Sequence, residues 1–190
     1  MKFKLLKFKS VKSTNDIALK LIKKKSKTPT IILSEKQTKG RGTMGKQWIS
    51  QKGNLFFTIF FALNKKKNID FKKFAVLNAY LLKNILSKRF SNKIKIKWPN
   101  DILFEKKKIC GILQETVINT GQKFLIIGIG INTNFDPKIR GFSSTSLRKI
   151  VNKEIDNKKV FNIIKRKYEK FLIKVHKHSF SELKKIATIL

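Results

Sequence analysis

Acidic side chains are scarce: 11 Asp and Glu stand against 45 Lys and Arg in 190 residues, a formal net charge of +34. Arginine is scarce too. Arg41, Arg89, Arg140, Arg148 and Arg166 complete the set, so nearly all the positive charge is lysine. A surface dedicated to nucleic acid usually recruits arginine, whose planar fork bonds bases and phosphates in pairs. This chain is instead rich in Lys, Ile, Asn and Phe, the residues that A- and T-rich codons encode. The charge therefore reads as composition bias ahead of specific nucleic-acid binding, with weak attraction to polyanions expected either way. Cys110 stands alone, which excludes a disulfide framework or a cysteine-rich zinc site within the chain. No run reaches the roughly 18 apolar residues of a membrane span. Lysines scattered through MKFKLLKFKSVKSTND break any signal-peptide core. His176 and His178 have no carboxylate or cysteine grouping around them and read as surface residues, so no metal site is assigned. No G-x-S-x-G nucleophile elbow is present. These absences point to a cytoplasmic protein with no membrane partner.

Enough remains to fold. Hydrophobic residues make up 41% of the chain, which supports a real core, and the length fits one domain. Residues 3–8 and 28–37 read as strands. Between them Ser13-Thr14-Asn15-Asp16 reads as a helix start, with Ser and Thr as caps and Asp in the first turn. Asn54 to Leu63 is aromatic and β-branched, the pattern of a buried strand. Residues 70–90 carry apolar side chains at helical spacing. KIKIKW (93–98) alternates, placing Lys93, Lys95 and Lys97 on one face. From Ile102 onward the order is strand, turn at EKKK, strand, turn at NTGQ, strand. Residues 157–177 and the SELKKIATIL segment read as helices, and the lysine triplets at 23–25, 65–67 and 106–108 as solvated turns or helix ends. Strands linked as hairpins predict a mixed, largely antiparallel α+β sheet with packed helices, not the strict alternation of a doubly wound fold.

The stretch KGRGTMGKQW (39–48) fits two phosphate-binding patterns and satisfies neither. Gly40, Gly42 and Gly45 match the dinucleotide fingerprint, and Gly40 to Lys46 nearly matches a P-loop. Both need a helix after the last glycine, whose N-terminus holds the phosphate. Here the chain runs through Gln47 and Trp48 to Gly53 and into a strand. Gln47 also stands where a P-loop needs Ser or Thr. Two readings stay open: an anion nest of backbone amides flanked by Lys39, Arg41 and Lys46, or a flexible connection with ordinary surface lysines.

KWPND (97–101) ends a strand in a turn that Pro99 stiffens. Lys97 there is a strand-end candidate, or a plain surface lysine. GIGIN (128–132) sets Gly128 and Gly130 on one face of a strand, leaving room for something flat or for a close crossing. Asn132 follows at the strand end.

Taken in order, these pieces resemble the catalytic domain of biotin protein ligases. The matching residues are Ser13-Thr14-Asn15, Gln37, Gly40-Arg41-Gly42, Gly45, Trp48, KWPND at 97–101, KKICGILQE at 107–115, GIGIN at 128–132 and TSL at 145–147. The glycine loop followed about fifty residues later by KWPND is the specific part. The resemblance implies a sheet akin to class II aminoacyl-tRNA synthetases and lipoyl ligases. It implies ATP-dependent formation of biotinyl-AMP, then transfer to a lysine of the biotin carboxyl carrier protein of an acyl-CoA carboxylase, by a monomer or weak dimer. Biotin and ATP with Mg2+ are the implied substrates. Ser13, Thr14, Asn15 and Gln37 would hold the ureido head, with Arg41, Gly42, Thr43, Lys97, Gly128 and Gly130 completing the biotin site. Gly40, Arg41, Gly45, Lys46, Trp48 and Asn132 would serve the nucleotide, and Lys97 and Arg41 the chemistry. A ligase for lipoate or octanoate is the alternative on the same fold. A basic nucleic-acid module and an inactive relic are the readings from other classes.

With the matching motifs starting at residue 13, the family's N-terminal helix-turn-helix is expected to be absent, and its small C-terminal β domain absent or truncated. The family also commonly has Arg where this chain has Thr43 and Lys46. Lys46 keeps the charge but loses the fork, and Thr43 loses both. Looser retention of the adenylate is expected, so Thr43→Arg should slow its release, measured by chasing labelled adenylate from the purified protein. Equal release from both proteins would refute a role for position 43.

Overall fold

A computed structural model describes residues 2–63, 71–137, 141, 143–175 and 177–189. The lysine triplet at 65–67 and His176 lie outside the described residues. The elements are β1 (Lys4–Phe8), α1 (Thr14–Lys23), β2 (Thr30–Ser34), β3 (Leu55–Ala62), α2 (Phe71–Arg89), β4 (Ile94–Lys97), β5 (Asp101–Phe104), β6 (Lys107–Asn119), β7 (Gln122–Ile131), α3 (Leu147–Val151), α4 (Asn157–Val175) and α5 (Phe180–Ile189). The sheet order is β1-β2-β3-β7-β6-β5-β4. Strands β1 and β2 pair in parallel across the α1 crossover, while β2–β3, β4–β5 and β5–β6 are antiparallel. The mixed, largely antiparallel sheet that the hairpin spacing predicts is present. The chain divides into two compact units, each built from separated segments.

One unit holds residues 2–63 and 112–130. Ser13 caps α1, its hydroxyl accepting from the Asp16 amide at 3.4 Å. Asp16 in the first turn and Lys20 and Lys23 in the last complement the helix dipole. The inner face of α1, Ala18 and Ile22, packs with Ile32 of β2, Phe60 of β3, and Phe124 and Ile126 of β7. All but the last residue of β3 are buried, as expected of a strand with neighbours on both edges and covered faces.

The other unit holds residues 71–111 and the described residues from 131 on. Helix α2 buries nine residues, and α4 buries Val160, Phe161, Ile164, Tyr168, Phe171, Leu172 and Val175 at helical spacing. Two buried asparagines cross-link the helices: Asn84 Nδ2 donates to the Ala187 carbonyl at 2.9 Å, and Asn78 Oδ1 accepts from the Tyr168 hydroxyl at 3.2 Å. Strand β4 keeps the predicted alternation, with Ile94 buried and Lys95 and Lys97 exposed. Helix α3 escapes the periodicity because one turn and a half, with only Leu147 buried, shows no repeat.

Burial pushes the Cys110 thiol well above its usual range. The native protein should therefore resist a thiol-reactive chromogen at mildly alkaline pH and take up one equivalent after unfolding. Rapid stoichiometric reaction of the native protein would contradict this placement.

Candidate functional site

The N-terminus of α1 is the root of a polar cluster in the first unit. Thr14, Asn15 and Thr58 are buried there, together with Ser50. Gln37 Oε1 accepts from the Thr14 amide at 2.7 Å and from the Thr14 hydroxyl at 3.0 Å. Its amide nitrogen donates to Ser50 Oγ at 2.8 Å, and Ser50 Oγ donates to the Trp48 carbonyl at 3.0 Å. Thr58 Oγ1 lies 2.5 Å from Asn15 Oδ1 and 2.8 Å from Thr14 Oγ1, so one hydroxyl hydrogen serves two acceptors. Asn15 Nδ2 donates to Glu115 Oε2 at 2.7 Å. Of the predicted residues, Thr14, Asn15 and Gln37 thus come together, while the buried Ser13 next to them in sequence caps α1. Thr58 and Glu115 are additions. Thr58 is hidden in sequence because it is the one polar residue in the apolar run LFFTIFFA, an oddity that could have marked it.

Glu115 also takes the glycine loop. Both Arg41 terminal nitrogens reach its carboxylate, at 2.8 and 2.9 Å, and one lies 3.0 Å from Asp16 Oδ1. The Glu115 hydrogen bonds, and the charges of Glu115 and Asp16, raise the Arg41 pKa above its usual value against the opposing effect of burial. Two carboxylates on one guanidinium leave this cluster formally at −1. Any anion reaching Arg41 competes with them. The nitrogen left to a newcomer is Nε, which is buried and makes no hydrogen bond among the described residues.

Three amides of the glycine loop bond within the loop itself. Gly42 N donates to the Lys46 carbonyl at 2.7 Å, Lys46 N to the Thr43 carbonyl at 3.1 Å, and Trp48 N to the Gly40 carbonyl at 2.9 Å. Residues 41–47 close into a small hairpin with Arg41 opposite Gln47 and a 3-10 turn, Thr43–Gly45, at its tip. Thr43, Gly45 and Lys46 are exposed there. Gly40 is required by proximity, since a Cβ would strike the Trp48 carbonyl and Ser50 Oγ.

Gly128 and Gly130 admit close neighbours, and both neighbours belong to the chain itself. A Cβ on Gly128 would collide with the Asn15 side chain, and one on Gly130 with the indole of Trp48. The open face expected for a thin ligand is in part occupied by these two side chains.

Lys97 and Asn132 lie in the second unit. Lys97 is exposed at the end of β4, opposite Asp101 in the β4–β5 register. A second motif lysine is better held: Lys108 Nζ lies 2.6 Å from Asp101 Oδ1, with both side chains 16% exposed. Asn132 Nδ2 donates to the Lys108 and Thr145 carbonyls at 3.3 and 3.2 Å. Its Oδ1, and the hydroxyl of Ser146, are buried without a hydrogen-bond partner among the described residues. Lys108 and Ser146 are additions from the structure. Lys108 is masked in sequence by its lysine triplet, and only the fold separates it from its neighbours. No group of three His, Cys, Asp or Glu side chains suited to a metal occurs among the described residues.

A family model described as the biotin/lipoate A/B protein ligase family matches residues 7–132, two thirds of the chain. The chain belongs to that family. It is 32% identical over 181 residues to the bifunctional ligase/repressor BirA of Bacillus subtilis, covering 90% of this chain and 54% of that protein. It is 31% identical over 123 residues to the biotin–[acetyl-CoA-carboxylase] ligase of Paracoccus denitrificans, covering 63% of this chain and 50% of that protein. The chain thus spans about half the length of these curated relatives. Among solved structures, the biotin protein ligase of Aquifex aeolicus in complex with biotin and ATP superposes with a TM-score of 0.79 at 31% identity, over 94% of this chain and 74% of that one. In this ligase-family chain, the KWPND and KKICG segments meet in the Asp101–Lys108 pair.

The Arg41–Glu115 pair is testable by a double-mutant cycle. Arg41→Gln and Glu115→Gln should couple by about 1 kcal/mol in urea unfolding, the scale of a partly exposed bidentate pair. Additive effects would mean that the pair contributes nothing to stability.

Proposed function

We propose that the chain activates biotin with ATP and passes it to a lysine of a biotin carboxyl carrier protein of an acyl-CoA carboxylase, in the cytoplasm. The observation that carries this reading is the hydrogen-bonded cluster of Thr14, Asn15, Gln37 and Thr58 beside Arg41, set within the motif order of a biotin ligase. A cyclic urea presents one carbonyl acceptor and two N–H donors. A buried cluster that mixes hydroxyls and amides can answer both kinds of group.

In the first step a carboxylate oxygen of biotin attacks the α-phosphorus of ATP. The bond from that phosphorus to the bridging oxygen breaks, and pyrophosphate leaves with its electron pair. In the second, the neutral amine of the acceptor lysine attacks the acyl carbon, AMP departs, and the amine loses a proton. The acceptor supplies the nucleophile, so the ligase need only position and neutralise charge. Mg2+ enters with the ATP phosphates as part of the substrate. Arg41 through Nε, and Lys46 at the loop tip, are the cations assigned to the first unit. Lys97 carries its catalytic role on the motif. Lys108 joins it on burial, since a lysine held by Asp101 is fixed in place whereas an exposed one is not. Asn132 Oδ1 and Ser146 Oγ are unsatisfied buried atoms suited to a nucleotide's donors. Gly40, Gly42 and Gly45 shape the loop, and Trp48, packed at Gly130, supplies a flat wall.

Biotin-dependent exchange of labelled pyrophosphate into ATP, in the presence of magnesium, tests the reading. Exchange is expected with biotin and not with lipoate or octanoate. Lys97→Ala and Lys108→Ala are each expected to lower it by about a hundredfold or more, the scale of one lost transition-state contact. Exchange with lipoate alone would move the chain to the sister activity. An unchanged rate in either lysine variant would remove that lysine from the chemistry.

A further inference from the structure

A cavity of about 550 Å3 in the second unit is lined by Arg89, Lys159, Asn162, Ile163, Lys165 and Arg166. Its volume falls within the roughly 300–1,000 Å3 range of small-molecule sites. Positions 159, 162, 163 and 166 of α4 follow i, i+3, i+4, i+7 and share one helical face, and Arg89 closes the site as the last residue of α2. Four of the six lining residues are cations. Lys165 is paired with Glu169 at 3.2 Å, and Lys159 lies only within 3.9 Å of Asp156. Arg89 and Arg166 make no ion pair among the described residues.

Lysine bias alone does not account for this lining. The chain has five arginines in 190 residues, and two of them converge on one cavity. Of the others with a described placement, Arg41 uses its fork on Glu115. Arginine differs from the abundant lysine in offering a planar set of paired donors that matches phosphate oxygens. Like charges gathered in a concavity repel one another and focus the field outward, which favours an anionic occupant. The α4 face from 159 to 166 is about 10 Å long at helical rise. That suits a compact ligand rather than the extended stripe a nucleic-acid strand follows.

We propose that this cavity binds a small phosphate-bearing anion through Arg89 and Arg166, with Lys159 adding charge and Asn162 an amide donor. The site is independent of the ligase reading, since none of its residues belongs to the machinery proposed above.

Five arginines make the test direct, because each gives one resolvable side-chain Nε–Hε resonance. Inorganic tripolyphosphate is titrated into the whole chain at about 0.15 M salt, where long-range attraction is screened. The Arg89 and Arg166 resonances should shift together and saturate, while Arg148 stays in place. Arg89→Gln and Arg166→Gln should each weaken this binding about tenfold or more, and Arg166→Lys, which keeps charge and helix, several-fold. Lys24→Gln, an exposed lysine of the other unit, should change it less than about twofold. Shifts spread over all arginines without saturation would overturn the proposal. So would equal losses from Lys24→Gln, or saturation of these two resonances by a single-stranded oligonucleotide but not by tripolyphosphate.

Discussion

At Gly128 and Gly130 strand β7 presents backbone where any other residue would present a side chain, and two separate segments lean into that space. Asn15 comes from the start of α1 and Trp48 from the end of the glycine loop. The close approach fixes how deep the helix terminus sits, and with it the reach of Thr14, Asn15 and Gln37. A methyl group at either glycine would push the helix start or the indole outward. The polar cluster therefore depends on two absent side chains. Glycine appears in a strand interior here despite its entropic cost because nothing larger permits the contact.

Above that contact the cluster is held by hydrogen bonds that leave little slack. Thr58 sits in an otherwise apolar strand, and its hydroxyl faces both Thr14 and Asn15. Asn15 hands the network on to Glu115, and Glu115 to Arg41. Loop, helix and strand are thereby joined through side chains that are mostly sequestered from water, where each partner lost leaves another group unsatisfied. The acidic residues are few, and the structure places Asp16 and Glu115 on the loop's arginine and Asp101 on a motif lysine.

Much of this architecture was legible in the residues. Alternation in KIKIKW, the aromatic run of β3 and the helical spacing of 70–90 all point to elements that are present, since each relies on a local pattern that survives in one dimension. The rejection of both phosphate-loop readings rests on a local signal too, the lack of a helix after the last glycine, and the chain does pass from the loop into a strand. What could not be read is pairing. That the loop amides bond to loop carbonyls, that Lys108 rather than its neighbours meets Asp101, and that Asn15 and Trp48 fill the glycine face are consequences of contacts far apart in sequence. Helix α3 stayed hidden because it is too short to show a repeat.

The buried thiol of Cys110 has a practical side. It is the chain's single cysteine, so the native surface offers no sulfur to a maleimide dye. Met44, at the tip of the small hairpin, is 90% exposed and has φ of 55°. A cysteine placed there would be the one accessible thiol, with no need to remove the native cysteine first. The hairpin beside the polar cluster is thus open to single-molecule and fluorescence reporting, with the label at its tip and the arginine anchor three residues away.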